Sequence, residues 1–238
     1  SDTPKGATYF RPKKGGAMEV TSKGDFYLLL LMKLPMYLTL GLLAWKLLQI
    51  GMFTETITNA IYVGLGVLYV LDCWKTYQVN SDIFVKEVPE IERYKFKQVA
   101  VLNVLYFSTF GSELAVVSML PLFFAETFGL GMAEAGMVAA SYAFMNLMSR
   151  PGGGWISDRF GRKKTLLILT AGLAVGYYTM SQITSEWALP AAIAAAMACS
   201  FFVQAGEGAV FAAVPLIKRR LTGQIAGMTG AYGNVGAV

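Results

Sequence analysis

Between residues 146 and 164 the sequence is Asn146-Leu-Met-Ser-Arg150-Pro-Gly-Gly-Gly-Trp-Ile-Ser-Asp158-Arg159-Phe-Gly161-Arg162-Lys163-Lys164. An arginine stands here at the end of an apolar segment, directly before a run that is rich in glycine and charge. Apolar runs of about 20 residues, the length of a membrane-crossing helix, recur on both sides of it. A permanent cation at the edge of hydrocarbon is costly, so Arg150 is expected to have a polar partner or a function.

The composition indicates an integral membrane protein. The 238 residues are 55% hydrophobic and only 15% charged, and the mean hydropathy is +0.50; a soluble domain usually carries about a quarter charged residues. The net charge of +5 is better explained by membrane topology than by nucleic acid, so no nucleic-acid partner is expected. Cys73 and Cys199 fall in apolar runs and histidine is absent, so neither a metal nor a cofactor is expected.

The chain begins at Ser1, shows no secretory signal pattern and stops at Val238 within an apolar run. We therefore interpret it as an internal fragment of a longer protein. Four regions are predicted: a basic cytoplasmic linker at 1–25, which includes Lys13 and Lys14, an apolar helical hairpin at 26–78, a charged cytoplasmic loop at 79–97, which includes Glu87, and a truncated bundle of apolar helices at 98–238.

Hydropathy and length predict an all-α membrane fold. The stretch from Phe26 to about Met52 is interrupted by Lys33, Pro35 and Lys46, and it either spans the membrane or lies on its surface, with the lysines expected to snorkel to the interface. Ile57 to Tyr77 is a cleaner span. Beyond it, apolar segments are predicted at about 98–127, 133–151, 164–184, 187–216 and 223–238.

The charges of the connecting loops alternate. Arginine and lysine concentrate at 80–97, 152–164 and 217–222, whereas 126–134 and 184–188 carry only acidic charges. Basic loops stay in the cytoplasm, so the first three face inward and the other two outward.

The segment Gly154-x-x-x-Asp158-Arg159-x-Gly161-Arg162-Lys163 is the most specific motif. Its glycines allow a tight turn between two helices, and its aspartate can cap a helix or pair with an arginine. Its cations hold the loop in the cytoplasm. The alternative is an ordinary basic loop of a membrane protein.

Arg150 is the best candidate for binding a substrate. A guanidinium is planar, always charged and suited to a small planar oxyanion. Asn146 lies one turn earlier on the same face and could add an amide donor, and Tyr142 extends the stripe. The alternative is an interfacial cation that pairs with Asp158.

Tyr106, Phe110 and Glu113 are spaced to share one helix face. Aromatic stripes are usually core packing. A carboxylate inside a span must pair, become protonated or take part in proton coupling, and Glu113 and Glu207 are the candidates for that role.

The last segment is rich in glycine. Gly223, Gly227, Gly230 and Asn234 fall on one stripe, and such a stripe permits close helix contact, bending and exposure of backbone to an ion. The alternative is simple helix packing, which is also our interpretation of Gly172-x-x-x-Gly176. No catalytic motif is present, so an enzyme is not expected.

Together these residues resemble the nitrate/nitrite porter family of the major facilitator superfamily. Thr222-Gly-Gln-Ile-Ala-Gly-Met-Thr-Gly-Ala-Tyr-Gly-Asn-Val-Gly236 resembles the family's second nitrate signature, and the insert at 26–77 resembles its cyanobacterial-type members. The resemblance implies two six-helix halves around a central pathway. This chain would supply the central loop and helices seven to eleven, and its partner would be the missing N-terminal half.

The resemblance implies secondary active transport of nitrate or nitrite by alternating access, in a multi-pass protein of the inner or plasma membrane, with the lipid bilayer as surroundings. Coupling would be to protons or by nitrate/nitrite exchange. Alternatives are a superfamily transporter for another small solute and a membrane nitrate sensor that does not transport. The implied substrate-binding residues are Arg150, Tyr106, Phe110, Asn146, Gly227, Gly230 and Asn234. The implied conformational latch comprises Gly154, Asp158, Arg159, Gly161, Arg162 and Lys163.

Overall fold

The structure, a computed structural model, describes residues 15–86 and 88–238. Within these residues every regular element is helical, which confirms the all-α class. Lys13 and Lys14 of the predicted linker and Glu87 of the predicted loop lie outside the described residues. The described residues divide into two compact units, one that comprises those of 15–101 with 214–231 and 238, and one of residues 102–213 and 232–237.

The first unit contains a helical hairpin of α1 (Lys23–Gln49) and α2 (Glu55–Asn80). Each helix begins at a hydroxyl cap: the side chains of Ser22 and Thr54 accept the backbone N–H three residues later, at 3.1 and 3.3 Å. The turn between the helices passes through Gly51, whose φ of +76° favours glycine. Local sequence signals therefore set both the start of each helix and the turn.

A polar clasp joins the two helices of the hairpin. Lys33 Nζ donates to Asp72 Oδ1 and to Thr76 Oγ1, both at 2.7 Å, and Tyr37 donates its hydroxyl to Asp72 Oδ2 at 3.3 Å. Lys33 is only 8% exposed. The prediction that Lys33 snorkels to the interface is therefore wrong, because partners on the facing helix bind its charge inside the hairpin.

Lys33→Met is expected to lower the free energy of unfolding by about 2 kcal/mol, because the charge of Asp72 would lose its partner between the helices. The double variant K33M/D72L removes both charges and should regain most of that loss. Thermal unfolding of the detergent-solubilised chain measures both, with Lys46→Met, an exposed lysine of α1, as the control. A double variant no more stable than Lys33→Met would contradict the clasp.

The predicted apolar segment at about 98–127 is one continuous helical rod, but it contains a π-helical turn that the sequence did not indicate. Thr109 and Ser112 donate their hydroxyls to the carbonyls of the residues four before them, at 3.0 and 2.6 Å. Such turns are rare and frequently mark functional sites. The rod consists of α3 (Phe96–Tyr106), the π-helical turn (Phe107–Gly111) and α4 (Ser112–Phe128).

The remaining helices follow the predicted order with two corrections. The predicted segment at about 133–151 is divided at Met145 into two helices. The run of glycines after Arg150 was expected to be a loop, but it is helical through Pro151 as far as Phe160. The chain turns instead at Gly161, whose φ is +94°. The helices are α5 (Met132–Phe144), α6 (Asn146–Phe160), α7 (Arg162–Ser181), α8 (Leu189–Ile217) and α9 (Thr222–Val235).

Four helical stretches among the described residues are long and apolar enough to cross a membrane. For the predicted span between Phe26 and Met52, length and composition favour the spanning alternative. The division into four regions, at 1–25, 26–78, 79–97 and 98–238, stays a prediction. The stretches are Lys23–Gln49, Glu55–Phe84, Glu90–Phe128 and Leu189–Ile217.

Candidate anion-binding site

Helices α6 and α8 touch through glycines in the second unit. A Cβ atom at Gly153 would collide with the backbone of Ala205, and one at Gly208 would collide with the carbonyl of Arg150. Only hydrogen fits at these two positions, so the two backbones approach closely. This contact places Arg150 of α6 beside Glu207 of α8.

Arg150 binds two buried carboxylates. Its Nη2 lies 3.1 Å from Glu113 Oε2, and the same nitrogen contacts Glu207 Oε2. The side chain of Glu207 is 1% exposed and that of Glu113 is 8% exposed, whereas Arg150 keeps 35% of its side-chain surface accessible. One guanidinium therefore stands between two carboxylates that have little access to water, and part of it is open to a ligand.

Two amides hold Glu113 in place. Gln204 donates to Glu113 Oε1 at 3.1 Å, and Asn146 donates to the same oxygen at 3.4 Å. The amide of Gln204 also donates to the carbonyl of Tyr142 at 3.3 Å. Asn146 was expected here, but we did not predict a role for Gln204. Its position three residues before Glu207, on the same face of an apolar helix, was the signal that could have identified it.

An aromatic wall flanks the guanidinium. The ring of Phe110 lies 5.5 Å from Arg150 Cζ, within the range of a cation–π interaction. Tyr106 stacks on Phe110 with centroids 5.2 Å apart and planes 7° apart. Phe211, which the sequence did not single out, meets Tyr106 edge-on at 4.9 Å. The aromatic stripe is thus core packing and also one side of the charged cluster.

Glycines at the end of α9 pack against this wall. A Cβ atom at Gly233 would lie 2.6 Å from the ring of Phe110 and 2.7 Å from that of Tyr106. A Cβ atom at Gly236 would lie 3.1 Å from Gly111 Cα, next to the π-helical turn. Gly233 and Gly236 therefore allow α9 to approach the aromatic pair.

The predicted glycine stripe behaves differently. Within the first unit a Cβ atom at Gly223, Gly227 or Gly230 would meet no atom within 4 Å, so the close helix contact that the stripe permits is not made at these positions among the residues that the structure describes. Gly227 and Gly230 belong to the first unit, and Asn234 is an exposed residue of the second. A role for these three in substrate binding stays a prediction.

The predicted latch lies at the end of α6. Asp158 Oδ1 pairs with Arg162 Nη2 at 2.6 Å, so the alternative in which Asp158 pairs with Arg150 is wrong. Gly154 faces the carbonyl of Gly208, to which its Cβ would lie 3.6 Å away. The latch residues Arg159 and Lys163 are exposed. A latch function of this segment stays a prediction.

The guanidinium of Arg150 is the group in this cluster that can bind an anion. In residues 15–86 and 88–238, no group of three His, Cys, Asp or Glu side chains could hold a metal ion. The charges are instead arranged around a guanidinium, whose donors fit carboxylates and small planar oxyanions. Arg150 could therefore exchange one of its carboxylates for a bound anion.

The family model of the Major Facilitator Superfamily matches residues 102–238. The chain belongs to this superfamily. The match begins at the first residue of the second unit, and it includes every residue of the Arg150 cluster. The match also confirms that the chain is a membrane protein of a transporter superfamily and that it is not an enzyme.

Named transporters match the chain over all or part of its length. The nitrate/nitrite transporter NrtP of Picosynechococcus is 54% identical over 100% of this chain and 45% of its own length. NrtP of Nostoc punctiforme is 47% identical over 100% of this chain and 48% of its own length. High-affinity nitrate transporter 2.3 of Oryza sativa is 37% identical over 58% of this chain and 28% of its own length. The chain thus spans about half the length of the two NrtP proteins.

Proposed function

We propose that this chain is half of a secondary active transporter for nitrate or nitrite in the inner or plasma membrane, and that Arg150 binds the anion. The observation that carries the proposal is the partly accessible guanidinium held between two buried carboxylates and an aromatic ring. The names of the similar proteins support the choice of substrate. Alternating access would expose the site to each side in turn, near the middle of the bilayer.

The shape of the site fits nitrate and nitrite. Both are small, planar and singly charged, and a guanidinium can donate two parallel hydrogen bonds to such an anion. The stacked rings of Tyr106 and Phe110 offer a flat apolar surface beside Arg150. A second cation from the half that this chain lacks relative to NrtP would complete the site, as the family resemblance implies.

We infer coupling to protons from the charges of the cluster. With all three groups ionised, Arg150, Glu113 and Glu207 sum to one negative charge, so an arriving anion meets repulsion and must displace a carboxylate. Protonation of one carboxylate removes the net negative charge that repels the anion, and it also weakens the hold of that carboxylate on Arg150. In a site with little water, the interaction energy of the anion with the neutral cluster differs strongly from that with the negative cluster. The anion and one or more protons are therefore expected to bind together.

Glu207→Gln tests this coupling. The neutral amide leaves Arg150 with one carboxylate, so nitrate should bind without taking up a proton at this position. We expect nitrate accumulation driven by a pH gradient to fall at least about tenfold, while nitrate/nitrite exchange persists. Glu126→Gln, an exposed carboxylate of α4, is the matched control. Unchanged gradient-driven accumulation in Glu207→Gln would remove this residue from the coupling mechanism.

The substrate is tested by a chimera in which this chain replaces the matching segment of Picosynechococcus NrtP. The chimera is purified, reconstituted in proteoliposomes and supplied with isotope-labelled nitrate. Uptake above that of empty vesicles would support the proposal. Binding of nitrate without flux would instead favour the sensor alternative, and the absence of both binding and flux would contradict nitrate as the substrate.

A further inference from the structure

The two carboxylates beside Arg150 accept different sets of hydrogen bonds. Glu113 Oε1 accepts from the amides of Gln204 and Asn146, at 3.1 and 3.4 Å. Glu113 Oε2 lies 3.1 Å from Arg150 Nη2. Glu207 Oε2 contacts the same nitrogen, but Glu207 Oε1 is buried and has no hydrogen-bond partner among the residues that the structure describes. Donors therefore stabilise the ionised form of Glu113 at both oxygens, whereas one oxygen of Glu207 meets no donor.

The backbone fixes the orientation of the Gln204 amide. Gln204 Nε2 donates to the carbonyl of Tyr142 at 3.3 Å as well as to Glu113 Oε1. A backbone carbonyl can only accept a hydrogen bond, so the nitrogen of the amide and not its oxygen must face Tyr142. The same nitrogen then faces Glu113. Glu113 therefore meets a hydrogen-bond donor, which favours a carboxylate over a carboxylic acid.

The oxygen of the Gln204 amide is an acceptor that lacks a donor. Gln204 is fully buried, and its Oε1 has no hydrogen-bond partner in the part of the chain that the structure describes. Gln204 and Glu207 are three residues apart in α8, so they share one face of the helix. A buried acceptor without a partner is costly. A proton on Glu207 Oε1 would turn that oxygen into a donor, which Gln204 Oε1 can accept.

The other titratable groups around the two carboxylates do not compete for this proton. Arg150 contacts both carboxylates through one nitrogen, so its charge stabilises the ionised form of either. The remaining groups that interact with them are phenols, which are already protonated at neutral pH because tyrosine ionises at about pH 10. They are Tyr106, Tyr142 and Tyr177.

We infer that Gln204 is a positioning residue that keeps Glu113 ionised, so that Glu207 binds the proton that the cluster takes up. Glu113 then stays the counter-ion of Arg150, and the contact of Glu207 with the guanidinium is the one that weakens when the proton binds. This inference rests on the proposed function for the use of the proton, because it assigns the coupled proton to one of the two carboxylates.

The test locates the proton in the 238-residue chain in lipid nanodiscs, without nitrate. Solid-state NMR of the chain with isotope-labelled glutamate follows the carboxyl carbons of Glu113 and Glu207, whose chemical shifts distinguish the ionised from the protonated form. As the pH is lowered, Glu207 should become protonated while Glu113 is still ionised. Gln204→Met keeps the length of the side chain and removes the amide. In this variant the ratio of proton occupancy on Glu113 to that on Glu207 should rise at least about tenfold, the equivalent of one hydrogen bond to a charged group.

Ser200→Ala is the matched control. Ser200 is a buried residue of the same helix and donates to the same carbonyl of Tyr142 at 2.6 Å, but the two amides that donate to Glu113 come from other residues. The control should therefore keep the proton distribution of the unchanged chain, and a shift in Gln204→Met alone would support the inference.

Two results would overturn the inference. One is an unchanged chain in which Glu113 is protonated before Glu207, or in which neither carboxylate takes up a proton, and this result does not depend on the folding of Gln204→Met. The other is a proton distribution that Gln204→Met leaves as it was. Because nitrate is absent from these samples, a chimera that fails to transport nitrate would contradict the proposed function and leave the location of the proton unaffected.

Discussion

Arg150→Lys is expected to abolish nitrate uptake by the chimera with NrtP, lowering the initial rate by about 100-fold, the equivalent of losing one or two charge-assisted hydrogen bonds. Lysine keeps the positive charge, but its compact ammonium cannot donate two parallel hydrogen bonds to a planar anion. It also loses the contact of the guanidinium with the ring of Phe110, which lies 5.5 Å from Cζ.

The matched control is Arg219→Lys, an exposed arginine between α8 and α9 that is outside the cluster. Both variants are reconstituted at equal density, and uptake of labelled nitrate is measured at several concentrations. Normal transport of nitrate by the Arg150→Lys variant would show that this arginine is a structural cation. That outcome would favour the alternative of a superfamily transporter for another small solute.

Gly208→Val should destabilise the second unit more than any other single change considered for this chain. The new Cβ would collide with the carbonyl oxygen of Arg150, which belongs to the backbone and cannot swing away. Helices α6 and α8 would have to separate, at a cost of about 3 kcal/mol or more. Native proteins have only about 5–15 kcal/mol of stability, so the loss should be visible as a lower yield and earlier thermal unfolding.

Gly136→Val provides the control for this substitution. Gly136 also lies inside a helix, but a Cβ atom there would meet no other atom within 4 Å. The two variants share the change in helix propensity and differ only in the collision with a neighbouring backbone. Thermal unfolding followed by size-exclusion chromatography compares them, and equal unfolding temperatures would contradict the close contact of α6 with α8.

The sequence was sufficient for the features that depend on local chemistry. Hydropathy and length predicted the all-α membrane class, because a bilayer requires each span to satisfy its own backbone hydrogen bonds. The motif from Gly154 to Lys163 indicated the superfamily that the match over residues 102–238 confirms. The glycines of this motif predicted a turn between two helices, and the structure has that turn at Gly161, whose φ of +94° is one that only glycine adopts easily.

Features that depend on contacts between distant segments were not predictable in this way. Lys33 pairs with Asp72 of the facing helix. The sequence of α1 alone does not show this partner, and it therefore predicted that the lysine snorkels to the interface. The glycines after Arg150 predicted a loop from the sequence alone. In the structure they are helical, and Gly153 and Gly154 form the surface of α6 that contacts α8. Likewise, no sequence spacing could choose between Asp158 and two glutamates from other helices as the partners of Arg150.

The coupling of nitrate to protons through the Arg150 cluster is tested most directly by measuring both fluxes together. Proteoliposomes with the chimera would carry a pH-sensitive dye inside, and labelled nitrate would be added outside without a pH gradient. The charge balance of Arg150 with Glu113 and Glu207 predicts that the interior acidifies as nitrate enters, and that Glu207→Gln lowers the number of protons per nitrate. Nitrate entry that requires internal nitrite and leaves the internal pH unchanged would contradict this mechanism.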